Sequence, residues 1–434
     1  MFLISYIKDF IGDTIRNRQI SHTNAARRGV VQYEPSEIGG FIEPHIFNCN
    51  VVCSGDNPEL RSEMIVDICV HATNADLPVI ILNQGDSTLN SFLNYKYRNH
   101  PDYYIEIGQN TIRRYDPLFG VGNDRISKII VDAAPQKYSF ACEAGLYIDV
   151  LTDYSVAKGR EVSLIRLKDC PHTELLSKIN DLAKKAPVSV IQNLKDGLAR
   201  SQNESLKVGR YINDLYHECS SIMPNDEDDC KNNCISIFKA VEEKAVLNLD
   251  VISDKNDLLL KMICVQMQLL INNRNPFILV LDNIGLNDDN SMKTISTLRS
   301  NGFACTIAGD DLFTLCNSDD RLFSTIIGNS KKWFVFHHTS GISAENWSNA
   351  FSKYKKIDTS FSYNHGQSNG LGTGLSLRGG FLNVNNNTSS NQGVTYTDRD
   401  EYVIRGMEIL ELPERAGYVY TADKREIAFV PEFQ

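Results

Sequence analysis

A short strand followed by a loop and a helix decides the fold of this chain. Residues 47–54 read Phe-Asn-Cys-Asn-Val-Val-Cys-Ser, and residues 55–62 read Gly-Asp-Asn-Pro-Glu-Leu-Arg-Ser. An apolar stripe at residues 64–70 predicts a helix after them. The next apolar run, Val-Ile-Ile-Leu at 79–82, is typical of a strand that is covered on both faces. Strand, helix and strand in this order predict a parallel βαβ unit.

Residues 55–62 stand where a phosphate-binding loop would stand, with the pattern Gly-x-x-x-x-Gly-Lys-Ser/Thr between a strand and a helix. In such a loop the backbone N–H groups hold phosphates, the Lys reaches the β- and γ-phosphates and the hydroxyl binds Mg²⁺. Gly55 and Ser62 match the pattern, whereas Leu60 replaces the second Gly and Arg61 replaces the Lys. We therefore predict a degenerate nucleotide site that does not bind ATP tightly. For the loop taken alone, a strand–turn–helix without NTPase ancestry is the alternative.

Two later strand ends carry matching signals. The apolar run at 277–281 leads into Asp282 and Asn283. An ATPase of this kind needs an Asp that helps to hold Mg²⁺ and a Glu that polarises the attacking water. Asp282 is kept, but the neutral amide of Asn283 cannot act as a base. A third strand, at 303–308, should end in a polar sensor residue, and here it runs through Gly309 to Asp310.

The remaining patterns divide the chain into four predicted segments: an N-terminal amphipathic helix and linker (1–30), the first part of the core (31–160), an all-helical insertion (161–235), and the second part of the core with a C-terminal hairpin (236–434). Further strands are predicted at 103–107, 244–252, 333–336, 416–421 and 426–430. The stretch 364–394 is rich in Gly, Asn and Ser, which predicts a loop.

The composition is that of an ordinary globular protein. Of the 434 residues 42% are apolar and 23% are charged, and the formal net charge is −10. The acidic total argues against a nucleic-acid partner, although it does not exclude a local basic patch. Eleven cysteines without framework spacing, no signal peptide and no apolar run of about 18 residues indicate a cytoplasmic protein. The stripe at residues 2–11 predicts a helix that docks on the core or a neighbouring subunit, or lies peripherally on the inner face of the membrane.

The order of these motifs resembles the coupling proteins of type IV secretion and conjugation, of the TraG, TraD and DotL (IcmO) kind in the FtsK/HerA group of P-loop ATPases. The resemblance covers about residues 30–434. It depends on the all-helical insertion and on five short segments, namely Leu82–Asp86, the turn Tyr115–Leu118, Leu298–Gly302, Gly309–Asp311 and the closing hairpin Leu410–Phe433. It implies an α/β, RecA-like P-loop NTPase core with a mainly parallel sheet flanked by helices, plus the inserted helical domain. Family members usually begin with transmembrane helices, which this chain lacks.

The replacements at Arg61, Asn283 and Asp310 predict a retained scaffold with lost chemistry. The hypothesis is a pseudo-ATPase with no catalytic residue, an adaptor or scaffold for protein partners such as related P-loop subunits or secretion components. We expect no cofactor, with residual ATP and Mg²⁺ binding left open. Two alternatives stay open: a non-hydrolysing nucleotide-binding regulator, for which Ser62 and Asp282 are kept, and an active DNA-dependent motor ATPase with atypical Walker motifs.

Two other clusters have simpler interpretations. His217, Cys219, Cys230 and Cys234 could supply four zinc ligands. Their spacing is irregular, and free cysteines are commonly buried as small apolar groups, so we predict no metal site. The histidine pair at 337–338 follows the strand at 333–336, and we interpret it as a hydrogen-bonded or exposed pair.

Overall fold

The computed structural model describes residues 2–42, 49–168, 172–251, 257–286, 295–296, 303–369 and 386–434, with side chains outside 2–13, 172 and 359–396. The chain forms two compact units. One consists of residues 1–30 and 351–405, and the other of residues 31–350 and 406–434.

The described strands, numbered along the chain, are β1 (Val30–Gln32), β2 (Asn50–Ser54), β3 (Val79–Asn83), β4 (Tyr104–Ile107), β5 (Arg114–Tyr115), β6 (Cys234–Ile235), β7 (Val246–Asp250), β8 (Phe277–Asp282), β9 (Phe303–Gly309), β10 (Ser330–Val335), β11 (Lys353–Asn369), β12 (Asn386–Tyr402), β13 (Gly417–Thr421) and β14 (Glu426–Val430).

The described α-helices are α1 (Phe2–Arg28), α2 (Pro58–Asn74), α3 (Ser87–Tyr97), α4 (Asn123–Ala133), α5 (Glu143–Ala157), α6 (Leu164–Lys168), α7 (His172–Leu182), α8 (Val188–Ser201), α9 (Ser205–Glu218), α10 (Glu227–Asn233), α11 (Ile237–Glu242), α12 (Asp257–Asn272), α13 (Leu312–Leu315), α14 (Asp320–Asn329), α15 (Gly341–Ala350) and α16 (Gly406–Leu410). Short 3₁₀ helices cover Ile38–Phe41, Gln136–Tyr138 and Gln202–Glu204.

The larger unit is built on a ten-stranded sheet in the order β1-β14-β13-β10-β2-β9-β8-β3-β7-β4. Each neighbouring pair from β10 to β4 is parallel, while β13 runs antiparallel to both β10 and β14. The core strands predicted from the apolar runs are confirmed. Parallel strands need helical crossovers that cover both faces of the sheet, which explains why their sequences are apolar throughout.

The sheet is buried on both faces. Val51, Val280 and Phe334 belong to one core that also includes Leu60 and Met64 of α2. Residues at alternate strand positions point the other way, and those of the central strands β3 and β8 are buried as well. The described strands and helices therefore agree with the predicted α/β core.

A run of helices, α4 to α10, follows the turn after β5 and confirms the helical character predicted for 161–235. In this run α5 packs against α4, α8 and α9. The helices already begin at Asn123, whereas the four predicted segment boundaries remain predictions. The pair β5 and β6 closes this region, with Arg114 opposite Cys234 and Tyr115 opposite Ile235.

The smaller unit joins α1 to an antiparallel hairpin of β11 and β12. Asn24 binds the backbone of Ile357 through both of its amide atoms, at 3.0 and 2.8 Å. The loop predicted at 364–394 is wrong for 364–369 and 386–394, while 370–385 lies outside the described residues. Pairing of β11 with β12 depends on backbone hydrogen bonds, which a Gly- and Asn-rich composition disfavours but does not prevent.

The described helices include none that combines the length and the hydropathy needed to cross a bilayer. The predicted membrane or subunit contact of residues 2–11 depends on side chains outside the described part of the chain, and it stays a prediction.

Gly55 is the turn position at which the fold tolerates no side chain. Its φ is +151°, and a Cβ would lie 2.6 Å from the Cβ of Phe336. We expect Gly55→Ala to lower the free energy of unfolding by about 1–3 kcal/mol, because the backbone and Phe336 must both shift. Gly145→Ala is the matched control, since a Cβ there meets open space inside α5 and should stabilise by about 0.5–1 kcal/mol. Denaturant unfolding followed by circular dichroism measures both, and equal stabilities would contradict this prediction.

Candidate functional site

The sequence-predicted site residues meet at the carboxyl edge of the parallel strands, where ligands bind in open α/β sheets. Arg61 lies in the first turns of α2, after β2. Asp282 is the last residue of β8, and Asp310 follows β9 directly. A fourth residue, Asp86, caps α3 after β3. Since β2, β9, β8 and β3 are consecutive in the sheet, these four side chains share one cleft.

The Arg61 guanidinium is surrounded by carboxylates. Its Nε lies 2.8 Å from Oδ1 of Asp282, and its Nη2 lies 3.1 Å from Oδ2 of Asp86. Its Nη1 donates a hydrogen bond to Oδ1 of Asp310. The side chains of Arg61 and Asp282 are 3% and 1% exposed, whereas that of Asp310 is 60% exposed. Each nitrogen of the Arg61 side chain therefore already faces a carboxylate of the protein.

An early helix start explains this position of Arg61. Asn57 caps α2 by accepting a hydrogen bond from the N–H of Leu60 at 3.0 Å, and Pro58 occupies the first turn. The positions that match the end of a phosphate loop thus lie within a helix. Leu60 is fully buried in the core, and Ser62 is buried with no hydrogen-bond partner for its hydroxyl among the described residues.

Backbone amides of the loop are engaged with the protein. The N–H of Gly55 donates to the carbonyl of Gly309 at 3.2 Å, and that of Asp56 donates to the carbonyl of His337 at 2.9 Å. The N–H of Arg61 donates within α2, to the carbonyl of Asn57. A phosphate cradle needs such groups to point at the ligand. These donors are satisfied by the fold itself.

The cleft in front of the cluster has a volume of about 440 Å³ and an acidic lining. It is lined by Asp56, Pro58, Arg61, Gln84, Asp86, Asp282, Asn283 and Asp310. With all four carboxyl groups ionised, one guanidinium leaves a formal charge of −3 (four minus one). This charge opposes the approach of phosphate groups and favours cations.

Asn283, which stands at the position of the catalytic Glu, has a structural role. Its φ is +55°, a left-handed conformation that Asn tolerates better than most residues. Its Oδ1 accepts a hydrogen bond from the N–H of Asp310 at 3.0 Å, and its carbonyl accepts one from Nε2 of Gln84 at 2.6 Å. Asn283 therefore joins the ends of three strands.

Burial raises the pKa of Asp282 to about 7, and the negative charges of Asp86 and Asp310 add to this rise. The guanidinium of Arg61 opposes it but is shared among three carboxylates. Burial disfavours the charged form of Arg61 as well, yet Asp282 and Asp310 raise its pKa overall. The cluster therefore keeps a permanent cation and holds an additional proton as the pH falls below neutrality.

Sequence patterns missed two members of this site. Asp86 and Gln84 come after the strand at 79–82, and their position at a parallel strand end was the signal that could have indicated them. Asp56 was noted only for its charge, and it also accepts a hydrogen bond from the N–H of Thr339 at 2.7 Å.

The interpretation of the histidine pair is wrong for one member. His337 is half-buried, but His338 is buried and neither ring nitrogen has a hydrogen-bond partner among the described residues. Successive side chains of an extended segment point in opposite directions, so His338 turns inward after β10. Among the described residues, no three His, Cys, Asp or Glu side chains are grouped so that they could hold a metal ion.

The parallel sheet, its covering helices and the cleft at the strand ends define the class of fold, which is a P-loop ATPase fold. The particular likeness is to a coupling protein. In the structure of plasmid coupling protein TrwB in complex with the non-hydrolysable GTP analogue GDPNP, 89% of that chain matches 92% of this one, with a TM-score of 0.50 and 13% sequence identity. The chain thus has a coupling-protein-like P-loop ATPase fold, which confirms the resemblance and the predicted fold class.

Two further structures show weaker likeness. Bacterial conjugative coupling protein TrwBdeltaN70 in complex with sulphate has a TM-score of 0.49 and 14% identity, over 92% of this chain and 89% of that one. VirB4 of Thermoanaerobacter pseudethanolicus has a TM-score of 0.36 and 10% identity, over 69% of this chain and 80% of that one. No protein-family model and no curated protein sequence matches the chain.

The Arg61 cluster supports a prediction about stability. We expect Arg61→Met to lower the free energy of unfolding by about 3–5 kcal/mol, because Asp282 is left as a buried charge without its partner. The double variant Arg61→Met/Asp282→Asn should recover most of this loss. Lys331→Ala is the control, because its ion pair with Asp423 is exposed and should contribute less than about 1 kcal/mol. Denaturant unfolding measures all three, and a cost for Arg61→Met no larger than that of the control would refute the prediction.

The raised pKa of Asp282 predicts a pH dependence. The folded value of about 7 exceeds the ordinary 3.8, so the folded state keeps a proton that the unfolded chain releases between these values. The stability from this group is fully present below the lower value and is lost as the pH rises through the higher one. Unfolding of the wild type and Asp282→Asn across this range should show the wild type losing stability relative to the variant as pH rises. Parallel curves would rule this out.

Proposed function

We propose that this chain is a pseudo-ATPase: a protein with the fold of the coupling proteins that does not hydrolyse nucleotide and acts as an adaptor or scaffold for protein partners. One observation carries the proposal. In the place where a P-loop Lys would reach for phosphates, Arg61 is already bound to Asp86, Asp282 and Asp310.

Three features support the loss of nucleotide chemistry. ATP would have to separate Arg61 from partners in a poorly solvated cluster, where charge pairs are costly to break. Its phosphates would also meet the acidic cleft and loop amides that are engaged with the protein. Finally, the general base of an ATPase is replaced by Asn283, whose side chain accepts a hydrogen bond from the backbone of Asp310. The residues present do not fit a Mg²⁺–nucleotide complex.

The adaptor role is supported by what the chain retains. The sheet, the crossover helices and the helical region from α4 to α10 are all formed, so the surfaces of the scaffold remain available for binding. The net charge of −10 disfavours nucleic acid. We infer that the partners are proteins, with related P-loop subunits or secretion components as the first candidates.

Nucleotide assays test the first half of the proposal. Purified wild type and Asp282→Ala are compared for ATP turnover with and without DNA, and for thermal stabilisation by ATP with Mg²⁺. We expect no turnover above that of the variant and no shift of the melting temperature, because a ligand that binds the folded state must stabilise it.

Other outcomes point to the alternatives. Stabilisation without turnover would support a nucleotide-binding regulator, and DNA-stimulated turnover that Asp282→Ala abolishes would support a motor. Affinity capture from the native host, followed by identification of bound proteins, tests the adaptor role. Recovery of an intact P-loop relative or of secretion components would support it, and capture of nucleic acid alone would contradict it.

A further inference from the structure

Two of the cysteines form a contact that the proposed function does not use. Cys230 lies in α10, and Cys234 follows one turn later, at the C-cap of that helix and the start of β6. Both are buried and pack together with Ile165 in a small cluster of their own. Residues four apart on a helix rise by about 6 Å along its axis, which is within the Cα separation that a disulfide spans.

The two thiols are joined by a hydrogen bond in which Cys234 donates to the sulfur of Cys230. The hydroxyl of Ser163 donates to the same sulfur, and the guanidinium of Arg166 contributes positive charge nearby. Two donors and a cation around one sulfur stabilise a thiolate. By contrast, burial raises the pKa of the thiols of Cys69 and Cys305.

Together these contacts lower the pKa of Cys230 and raise that of Cys234, with the hydrogen bond between them as the first cause in each case. The pair thus has an asymmetry suited to redox chemistry. One sulfur is prepared to attack as a thiolate, and the second keeps its proton within reach of the first.

We propose that Cys230 and Cys234 are a redox-active dithiol that closes to an intramolecular disulfide, with Cys230 as the attacking thiol and a hydroperoxide as the oxidant. The Cys230 thiolate attacks one oxygen of hydrogen peroxide, the O–O bond breaks, and hydroxide leaves and is protonated to water. The Cys234 sulfur then displaces hydroxide from the Cys230 sulfenic acid, and its proton completes a second water. Two thiols are oxidised, one peroxide is reduced, and one S–S bond forms.

The surroundings of α10 allow the oxidant to enter and give closure a structural effect. Cys230 has no exposed surface, so oxidation requires local opening of this seven-residue helix. Its next two residues are exposed, and it is held by surface contacts such as that between Arg160 and Glu227. Cys234 pairs with Arg114 across β5 and β6. A disulfide would therefore restrain the short sheet that leads into the helical region.

The test follows the two thiols by mass spectrometry in the full chain carrying Cys142→Ala, which removes an exposed thiol. Reduced protein is treated with hydrogen peroxide under native conditions, and remaining thiols are alkylated after denaturation. Trypsin cleaves after Lys231 and separates the two cysteines, so a disulfide appears as a cross-linked pair of peptides. We expect loss of two alkylatable thiols, a cross-link between Cys230 and Cys234, and reversal by dithiothreitol.

Variants test the assigned roles. In Cys234→Ala, the sulfenic acid of Cys230 should persist and react with dimedone, whereas Cys230→Ala should leave Cys234 reduced. Cys219→Ala is the matched control, because Cys219 lies on the same tryptic peptide as Cys230 and should not affect the cross-link. The proposal is overturned if both thiols stay alkylatable in the native protein, if the cross-link forms only in urea, or if Cys234 takes the dimedone label in Cys230→Ala. The measurement on intact Cys230 and Cys234 does not depend on whether those substitutions fold.

Discussion

The guanidinium of Arg61, buried among Asp86, Asp282 and Asp310, is the interaction on which the rest of the site depends. Three carboxylates from different strand ends would repel one another at these distances, and the buried Asp282 would pay the full cost of desolvation. One cation offsets part of that cost, which is why removal of either charge alone is expected to destabilise the fold. The same cation occupies the place at which an ATPase of this fold meets phosphate.

The parallel sheet provides the geometry for this cluster. Helical crossovers bring every parallel strand to the same edge of the sheet, so side chains that follow β2, β3, β8 and β9 converge without being near in sequence. In an active P-loop ATPase this convergence builds a site for Mg²⁺ and phosphate. Here the convergent residues bind one another, and we infer that the architecture is retained for its surfaces and not for its chemistry.

The thiol pair at Cys230 and Cys234 is separate from that cluster and has a different physical basis. Its geometry comes from one turn of α10, and the asymmetry between the sulfurs comes from Ser163 and Arg166, which lie on another segment. A redox response there would act on the short β5 and β6 pair. The proposal for nucleotide loss and the proposal for thiol oxidation can therefore succeed or fail independently.

Local sequence was sufficient for the strands and for the damaged loop. Apolar runs such as 79–82 and 277–281 predict buried parallel strands because burial on both faces leaves no polar position, and Arg61 and Asn283 depart from the P-loop pattern within a few residues. The hairpin of β11 and β12 escaped prediction because its pairing uses the backbone, which composition does not reveal.

By itself, the sequence determined that this is an α/β P-loop fold with substituted catalytic positions. Tertiary structure alone decided what those substitutions do. Arg61 is 25 residues from Asp86 and 249 from Asp310, and no local pattern shows that their side chains meet. That contact depends on the order of strands in the sheet, and on the early start of α2 that turns Arg61 toward the strand ends.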